Sequence, residues 1–271
     1  NVEKTVTISG SVKEIITGKP IYATAEKIIE IEQWGETGLE EIVLADCENL
    51  RKIASPSKKS FENLKNNEDM GSLFISFEGC ISLKEIPSDL FEYSNNAIGF
   101  VGTFLRCASL TTIPEELFAN CPNAVNFSNT FTGCTSLTTI PEELFANCPN
   151  AAIFYGTFTG CTSLTTIPEA LFANCTNAAI FEGTFADCTS LTTIPQTLFD
   201  NCQKVESFVG TFNNCTSLTG KPIELWTRGT NNAENEYKGS PDGYGCYYKC
   251  TKLEGYEAIP NYWRSSMAFN I

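Results

Sequence analysis

Apolar and polar positions recur along this chain with a period of 27 residues. The segment 131–151, FTGCTSLTTIPEELFANCPNA, returns almost unchanged at 158–178 as FTGCTSLTTIPEALFANCTNA. Within one unit the apolar side chains stand three apart, as in Phe131, Cys134, Leu137 and Ile140. This spacing predicts two short helical or 3-10 pieces in each unit, PEELFANC and GTFTGC, and two short extended pieces, LTTI and AVNF.

Cysteines mark the period most clearly. Two series keep an interval of 27 residues, and the second lies 14 residues behind the first: Cys80, Cys107, Cys134, Cys161, Cys188 and Cys215, then Cys121, Cys148, Cys175 and Cys202. Looser copies of the unit surround Cys47 and Cys250. Together with the six cysteines of the first series, they mark eight copies of the unit. A period of roughly 20 to 50 residues is typical of a solenoid, in which each coil contacts its neighbours. The sequence therefore predicts a solenoid of about eight coils.

Phenylalanines form three columns at the same period. They hold 15 of the 19 phenylalanines, five in each column: Phe91 to Phe199, Phe104 to Phe212, and Phe100 to Phe208. Because adjacent coils of a parallel sheet lie about 4.8 Å apart, we expect each column to be a continuous buried stack. A charge placed at Phe158 should then damage the whole array.

Polar residues recur in register as well. One asparagine precedes each member of the second cysteine series, and we expect these side chains to bond backbone groups at a tight corner of each coil: Asn120, Asn147, Asn174 and Asn201. Prolines at 114, 141, 168 and 195 suit the first position of a helix. The glutamates that follow would be stabilised by the helix dipole: Glu115, Glu116, Glu142, Glu143 and Glu169.

The composition narrows the chemistry. The 271 residues include no histidine, which removes every histidine-based nucleophile pair and every histidine-ligated metal site. The 32 acidic and 18 basic side chains give a net charge of −14, which argues against a nucleic-acid partner. No apolar run approaches the roughly 18 residues of a membrane span.

The unit C-x-x-L-x-x-I-P followed by L-F-x-x-C resembles the BspA-like group of bacterial leucine-rich repeats, in a long 27-residue version. In one copy the pattern is carried by Cys134, Leu137, Ile140, Pro141, Leu144, Phe145 and Cys148. The resemblance implies an α/β leucine-rich-repeat solenoid with a parallel β-sheet on one side and short α- or 3-10 helices on the other. We divide the chain into an N-terminal β cap (1–41), the leucine-rich repeats (42–225), and an aromatic-rich last repeat with a C-terminal cap (226–271).

The resemblance also implies an exported, bacterial cell-surface protein, with its export signal outside the given residues. We therefore expect a non-enzymatic interaction or adhesion module that needs no cofactor and no metal, is a monomer and binds a protein or a glycan. One alternative is a rigid spacer that holds another domain away from the cell. The other is glycan binding through the aromatic residues of the C-terminal region.

One column changes from unit to unit although the rest of the unit is nearly copied. It follows the third phenylalanine column and reads Val101, Ser128, Tyr155, Glu182 and Val209. Repeat proteins bind through such exposed stripes, so we predict that these five residues contact the ligand. Drift without selection would give the same pattern. We add Trp263 as a candidate, although its ring would alternatively close the open end of the core.

Three other patterns have simpler interpretations, which we favour. The cysteines should be buried, reduced thiols that act as small apolar residues, although stacked cysteines lie within reach of disulfides. The glutamates should be solvated helix starts rather than calcium ligands. Flat arrays of threonines can bind ice, and a pair of threonines follows the Leu of each unit: Thr111/Thr112, Thr138/Thr139, Thr165/Thr166 and Thr192/Thr193. On a strand, adjacent side chains point to opposite faces, so only one member of each pair could join such an array. We therefore interpret these threonines as ordinary strand residues.

Overall fold

The computed structural model describes residues 5–6, 14–16, 28–34, 39–228 and 241–266. The strands are short: β1 (Thr5–Val6), β2 (Glu14–Ile16), β3 (Glu30–Ile31), β4 (Glu41–Val43), β5 (Asn66–Asn67), β6 (Ser72–Leu73) and β7 (Ile75–Ser76). The pairs β1–β3, β2–β4 and β4–β7 are parallel, whereas β5 and β6 form an antiparallel hairpin. Parts of the predicted N-terminal β cap (1–41) and of the predicted C-terminal region (226–271) lie outside the described residues.

Coils in the repeats stack in parallel, one 27-residue period apart. Single parallel bridges join them in one continuous column: Gly99, Asn126, Ile153, Ile180, Ser207 and Asp242. Along this side, alternate N–H groups of one coil donate to carbonyls of the next, as from Asn129 to Tyr155 (2.8 Å) and from Phe131 to Thr157 (2.9 Å). The LTTI side is held more loosely, with one backbone bond per coil such as Thr165 N to Thr138 O at 3.4 Å.

The predicted helical pieces PEELFANC and GTFTGC are wrong in detail. Between residues 62 and 224, all of which the structure describes, the backbone forms turns and no helix. Each turn closes through a bond from residue i+3 to residue i, for example Ala146 N to Glu143 O (3.0 Å) and Cys148 N to Phe145 O (3.0 Å). Carbonyls that would continue a helix bond instead to the next coil, since Asn174 Nδ2 donates to Ala146 O at 2.9 Å.

Left-handed residues also interrupt the GTFTGC piece of each coil. Two positions in each coil, four residues apart, have φ between 55° and 73° in the coils that include Gly102 and Arg106, Asn129 and Gly133, Gly156 and Gly160, Gly183 and Asp187, Gly210 and Asn214, and Gly245 and Lys249. A right-handed helix cannot pass through such residues. Within the described residues the one α-helix, α1 (Lys58–Phe61), lies before this series and has Ser57 as its N-cap. Three 3-10 helices follow the repeats: Leu225–Thr227, Tyr256–Ala258 and Asn261–Arg264.

The three phenylalanine columns are confirmed as buried stacks. Rings on successive coils lie 5.3 to 6.0 Å apart between centroids in all three columns. Phe77 and Tyr247 extend the column of Phe104 at its two ends, with centroids 5.6 and 5.7 Å from the adjacent ring. Offset stacks of this kind add to the energy of burying the rings, so neighbouring coils stabilise one another.

Polar ladders connect the coils inside and at the corners. Hydroxyls of Thr130, Thr157, Thr184 and Thr211 are buried, and each donates to a phenylalanine carbonyl of the preceding coil at 2.8 to 3.0 Å. The predicted asparagine ladder is confirmed at two of its four positions, Asn174 and Asn201, which donate to Ala146 O and Ala173 O. A second ladder, which the sequence analysis missed, joins Asn150 Nδ2 to Pro122 O and Asn177 Nδ2 to Pro149 O, both at 3.0 Å.

The last coil is closed by the segment that follows it. Gly245 N and Tyr247 N donate to the carbonyls of Tyr262 and Trp263, as repeat coils do to their neighbours. Gly243 stands in the third phenylalanine column, because the Phe208 N–H bonds to Asp242 O. A Cβ on Gly243 would overlap the six-membered ring of Trp263. The Trp263 side chain therefore occupies the space that a phenylalanine fills in the other coils.

Candidate functional site

The five variable side chains lie in one row across the coils. From Ser128 onward, the carbonyl of each row member accepts a hydrogen bond from the preceding coil. The donor is the N–H of the left-handed residue that follows that coil's own row member, as from Asn129 N to Tyr155 O and from Gly156 N to Glu182 O, both at 2.8 Å. The same bond runs from Gly102 N to Ser128 O (2.9 Å) and from Gly183 N to Val209 O (2.8 Å). The row predicted from the sequence is therefore a continuous feature of the surface.

A sixth row member was missed by the sequence analysis. Gly210 N donates to Tyr244 O at 3.0 Å, which puts Tyr244 in the place that Val209 holds in the preceding coil. The spacing from Val209 to Tyr244 is 35 residues rather than 27 because the chain is longer there. Aligning Cys250 with Cys215 would have revealed Tyr244, since both tyrosine and valine stand six residues before the cysteine.

The left-handed residue after each row member turns the backbone away from the row. Glycine is favoured there because it adopts positive φ without strain. At Gly156 (φ 61°) glycine is also required by space, since a Cβ would overlap Oδ1 of Asn129 in the preceding coil. The tight stacking of these glycines lets row members follow one another at the coil spacing, about 4.8 Å.

What we call the variable face consists of the row, four of the bridging residues beside it, and two residues that each precede a bridging residue. The row is Val101, Ser128, Tyr155, Glu182, Val209 and Tyr244, the bridging residues are Asn126, Ile153, Ile180 and Asp242, and the preceding residues are Val125 and Glu206. Tyr155 is 45% exposed and Val125 is 37% exposed. Val101, Ser128, Glu182 and Val209 are half-buried. The face thus presents apolar side chains to solvent on a rigid backbone, as a binding surface does.

Two structures border the variable face at its ends. At the N-terminal end the β5–β6 hairpin crosses the first coil, where a Cβ on Gly99 would overlap the carbonyl oxygen of Gly71, and Met70 of this hairpin is 54% exposed. At the C-terminal end Tyr244 and Tyr262 lie with ring centroids 4.9 Å apart. The Tyr262 hydroxyl donates to Asp242 Oδ1 at 2.9 Å, so the carboxylate and both rings are held together.

Trp263, the remaining candidate, does not join the row. It is only 7% exposed, and its ring lies 6.1 Å from that of Trp226 in an edge-to-face contact. The arrangement matches the alternative interpretation of Trp263 as a ring that closes the core. Half-buried aromatic side chains at this end of the molecule are Tyr244, Tyr248, Tyr256 and Tyr262 instead.

All thirteen cysteines are buried free thiols, as expected. The first series donates S–H to a carbonyl of the preceding coil at 3.0 to 3.3 Å, as from Cys134 to Phe104 O. Burial raises the pKa of the Cys107 and Cys250 thiols to about 12. Because the thiolate is the reactive form, these side chains are chemically quiet packing groups. Across the described ranges, no three acidic or cysteine side chains group as metal ligands do.

Two expectations about the surface need correction. The glutamates Glu115, Glu116, Glu142, Glu143 and Glu169 are exposed as predicted, but they lie at the start of turns rather than of helices. Both members of each threonine pair are exposed, because the LTTI segments are not regular strands with alternating side chains. Thr192 Oγ1 donates to Thr165 O at 3.1 Å, so part of this hydroxyl array joins the coils to each other.

Several solved structures match this chain with low sequence identity and low TM-scores. A structure of the Toll–Spätzle complex of Drosophila has 15% identity, coverage of 72% of this chain and a TM-score of 0.22, and this chain spans only 33% of that one. A leucine-rich repeat protein from Bacteroides ovatus has 18% identity, coverage of 79% of this chain and 80% of that one, and a TM-score of 0.24. A leucine rich cell surface protein from Faecalibacterium prausnitzii has 14% identity, coverage of 98% and 95%, and a TM-score of 0.20.

No curated protein matches the chain significantly. In the part of the chain that the structure describes, no helix has the length and apolar character needed to cross a membrane. The model of the BspA type leucine rich repeat region matches six copies, over residues 75–179 and 104–221. Together these matches cover more than half of the sequence and five of the six coils that carry the variable face. The chain therefore belongs to the BspA-type leucine-rich-repeat family.

Proposed function

We propose that the chain is a non-enzymatic protein-binding module whose ligand contacts the variable face. The observation that supports this most directly is the exposure of Tyr155 and Val125 beside a fully buried, almost unchanging interior. Exposed apolar side chains grouped on one rigid surface favour association with another protein. Since the family is typical of bacterial cell surfaces, we further propose that the module is displayed there and acts in adhesion.

The test is a binding screen of the purified chain against immobilised extracellular-matrix proteins and a glycan array. Two variants are screened beside it. The first, Val125→Ala/Tyr155→Ala, shortens the two most exposed apolar side chains of the variable face. The second, Tyr248→Ala, removes a half-buried ring of the C-terminal coil outside that face. Circular dichroism establishes that both variants are folded.

The proposal predicts binding to at least one protein, lost in Val125→Ala/Tyr155→Ala and kept in Tyr248→Ala. Glycan binding lost only in Tyr248→Ala would move the function to the C-terminal aromatic residues. A chain that binds nothing on either array would support the rigid spacer, which needs only the stacked interior.

A further inference from the structure

Charges on the variable face have one sign. Its charged side chains are Glu182, Glu206 and Asp242, all in the last three coils of the face. The basic residue nearest to Glu206 in sequence, Lys204, donates to Asn177 Oδ1 at 2.6 Å at the border of the face. The cation at the opposite border, Arg106, is already paired with Glu78 (3.0 Å) and Asp46 (3.7 Å). Among the described residues no ion pair joins a cation to Glu182, Glu206 or Asp242, although Asp242 Oδ1 accepts from the Tyr262 hydroxyl and the Tyr244 N–H.

Apolar side chains of this face lie in the same or adjacent coils as its acidic ones. Ile153 and Tyr155 precede Ile180 and Glu182 by one coil, and Val209 follows by another. A partner that buries these apolar side chains must also come within a few ångströms of the Glu182 and Glu206 carboxylates. An acidic or neutral partner would leave these carboxylates desolvated and unpaired, which costs free energy.

The length of the face also limits the partner. Six row members at about 4.8 Å per coil span roughly 24 Å. An extended peptide rises about 3.3 Å per residue, so a segment of about seven or eight residues would cover the row.

We propose that the partner presents an extended, positively charged segment in which every second residue faces the variable face, and these facing residues include both apolar side chains and Lys or Arg. This inference rests on the proposed function, because it names the kind of protein segment that the variable face takes. Apolar side chains of the segment cover Tyr155, Ile153 and Ile180, and its cations meet the carboxylates of Glu182, Glu206 and Asp242.

The probe, called the Leu–Lys peptide, is a fluorescent peptide of about twelve residues that repeats Leu-Ser-Lys-Ser, so that Leu and Lys lie on the same side of the extended chain. It is compared with the Leu–Glu peptide, in which Glu replaces each Lys. Three carboxylates of the face are neutralised together in Glu182→Gln/Glu206→Gln/Asp242→Asn. The asparagine keeps the Oδ1 acceptor that Tyr262 and Tyr244 N use. The matched control, Glu115→Gln/Glu142→Gln/Glu143→Gln, removes the same charge from exposed glutamates in another part of the coils.

We expect the Leu–Lys peptide to bind with a Kd that rises about tenfold in the face variant and less than about twofold in the control. Binding should weaken further when salt is raised from about 20 mM to about 300 mM. Equal weakening in the two charge variants, or equal binding of the Leu–Glu peptide, would overturn the proposal, since attraction would then come from the net charge alone.

The outcome for the proposed function is separate. A matrix protein that binds the chain, loses affinity in Val125→Ala/Tyr155→Ala and ignores both salt and the face variant would keep the protein-binding role. It would overturn only the cationic segment. A matrix protein whose affinity falls in neither Val125→Ala/Tyr155→Ala nor the face variant would contradict both proposals.

Discussion

Phe154 and Tyr155 are consecutive residues that differ in burial and in how much their positions vary between coils. Phe154 belongs to a column that is phenylalanine in five successive coils and is fully buried, whereas Tyr155 belongs to a row with four different residue types and is 45% exposed. Both residues are held by backbone hydrogen bonds between coils. Phe154 N donates to Ile180 O, and Tyr155 O accepts from Asn129 N. Stacking therefore constrains the inward side chain at every coil and leaves the outward one free to change, which is how a repeat scaffold separates stability from recognition.

The strongest test of this comparison places a charge on each side. Phe158→Asp buries an unpaired carboxylate between rings 5.6 Å away on both sides, and we expect a loss of about 5 kcal/mol or more, or no folded protein. Tyr155→Asp puts the same charge in solvent and should change the free energy of unfolding by less than about 0.5 kcal/mol. Urea unfolding followed by circular dichroism measures both. Similar losses in the two variants would contradict the division between interior and face.

Alkaline pH should weaken the interior through its thiols. The Cys107 and Cys250 thiols have an ordinary pKa near 9.0, raised to about 12 in the folded chain by burial. Above pH 9 the unfolded chain therefore releases protons that the folded chain keeps, and stability falls between pH 9 and 12 by about 1.4 kcal/mol per pH unit for each thiol. Urea unfolding at a series of pH values measures this slope.

A matched pair of variants isolates the contribution of one thiol. Cys107→Ala should reduce the slope by about 1.4 kcal/mol per pH unit, since one titrating group is removed. Leu110→Ala truncates a buried, non-titrating neighbour and should lower stability without changing the slope. If both variants kept the original slope, the buried thiols would not be the cause of alkaline unfolding.

Two glycines sharpen the comparison at the backbone of the row. Gly156→Ala and Gly183→Ala both put a side chain on a residue with φ near 60°, which should cost about 1 kcal/mol in each. Only at Gly156 does the new Cβ displace Asn129 Oδ1, which accepts the Thr132 hydroxyl at 3.2 Å, so about 1 kcal/mol more should be lost. Thermal unfolding of the two variants should rank Gly156→Ala below Gly183→Ala, and the reverse order would argue against the coil spacing described here.

The smallest expected effect concerns a single rung of the hydroxyl ladder. Thr157→Val keeps the shape of the side chain and removes the hydroxyl that donates to Phe127 O at 3.0 Å. We expect a loss of about 1 kcal/mol in the free energy of unfolding. The same change at exposed Thr165 should cost less than about 0.5 kcal/mol. Equal effects would mean that the buried ladder contributes no more than surface hydroxyls.

The interior was the part that the sequence predicted best. Period and residue type repeat together there, so Phe131 and Phe158 could be placed in one stack from spacing alone. Turns could not be told from helices, because the left-handed positions hold Arg106, Asp187 and Asn214 as well as glycine and carry no shared residue type. The row was predicted in five members, but Tyr244 was hidden by the longer last spacing.

The side chains of the row can be truncated to alanine without disturbing the phenylalanine stacks beneath them. One variant tests it: Val101→Ala, Ser128→Ala, Tyr155→Ala, Glu182→Ala and Val209→Ala combined. We would measure its thermal unfolding together with its affinity for the Leu–Lys peptide. We predict a midpoint within about 5 °C of the original chain and at least about a tenfold loss of affinity. A chain that unfolds far below the original, or that binds the peptide as before, would contradict the claim.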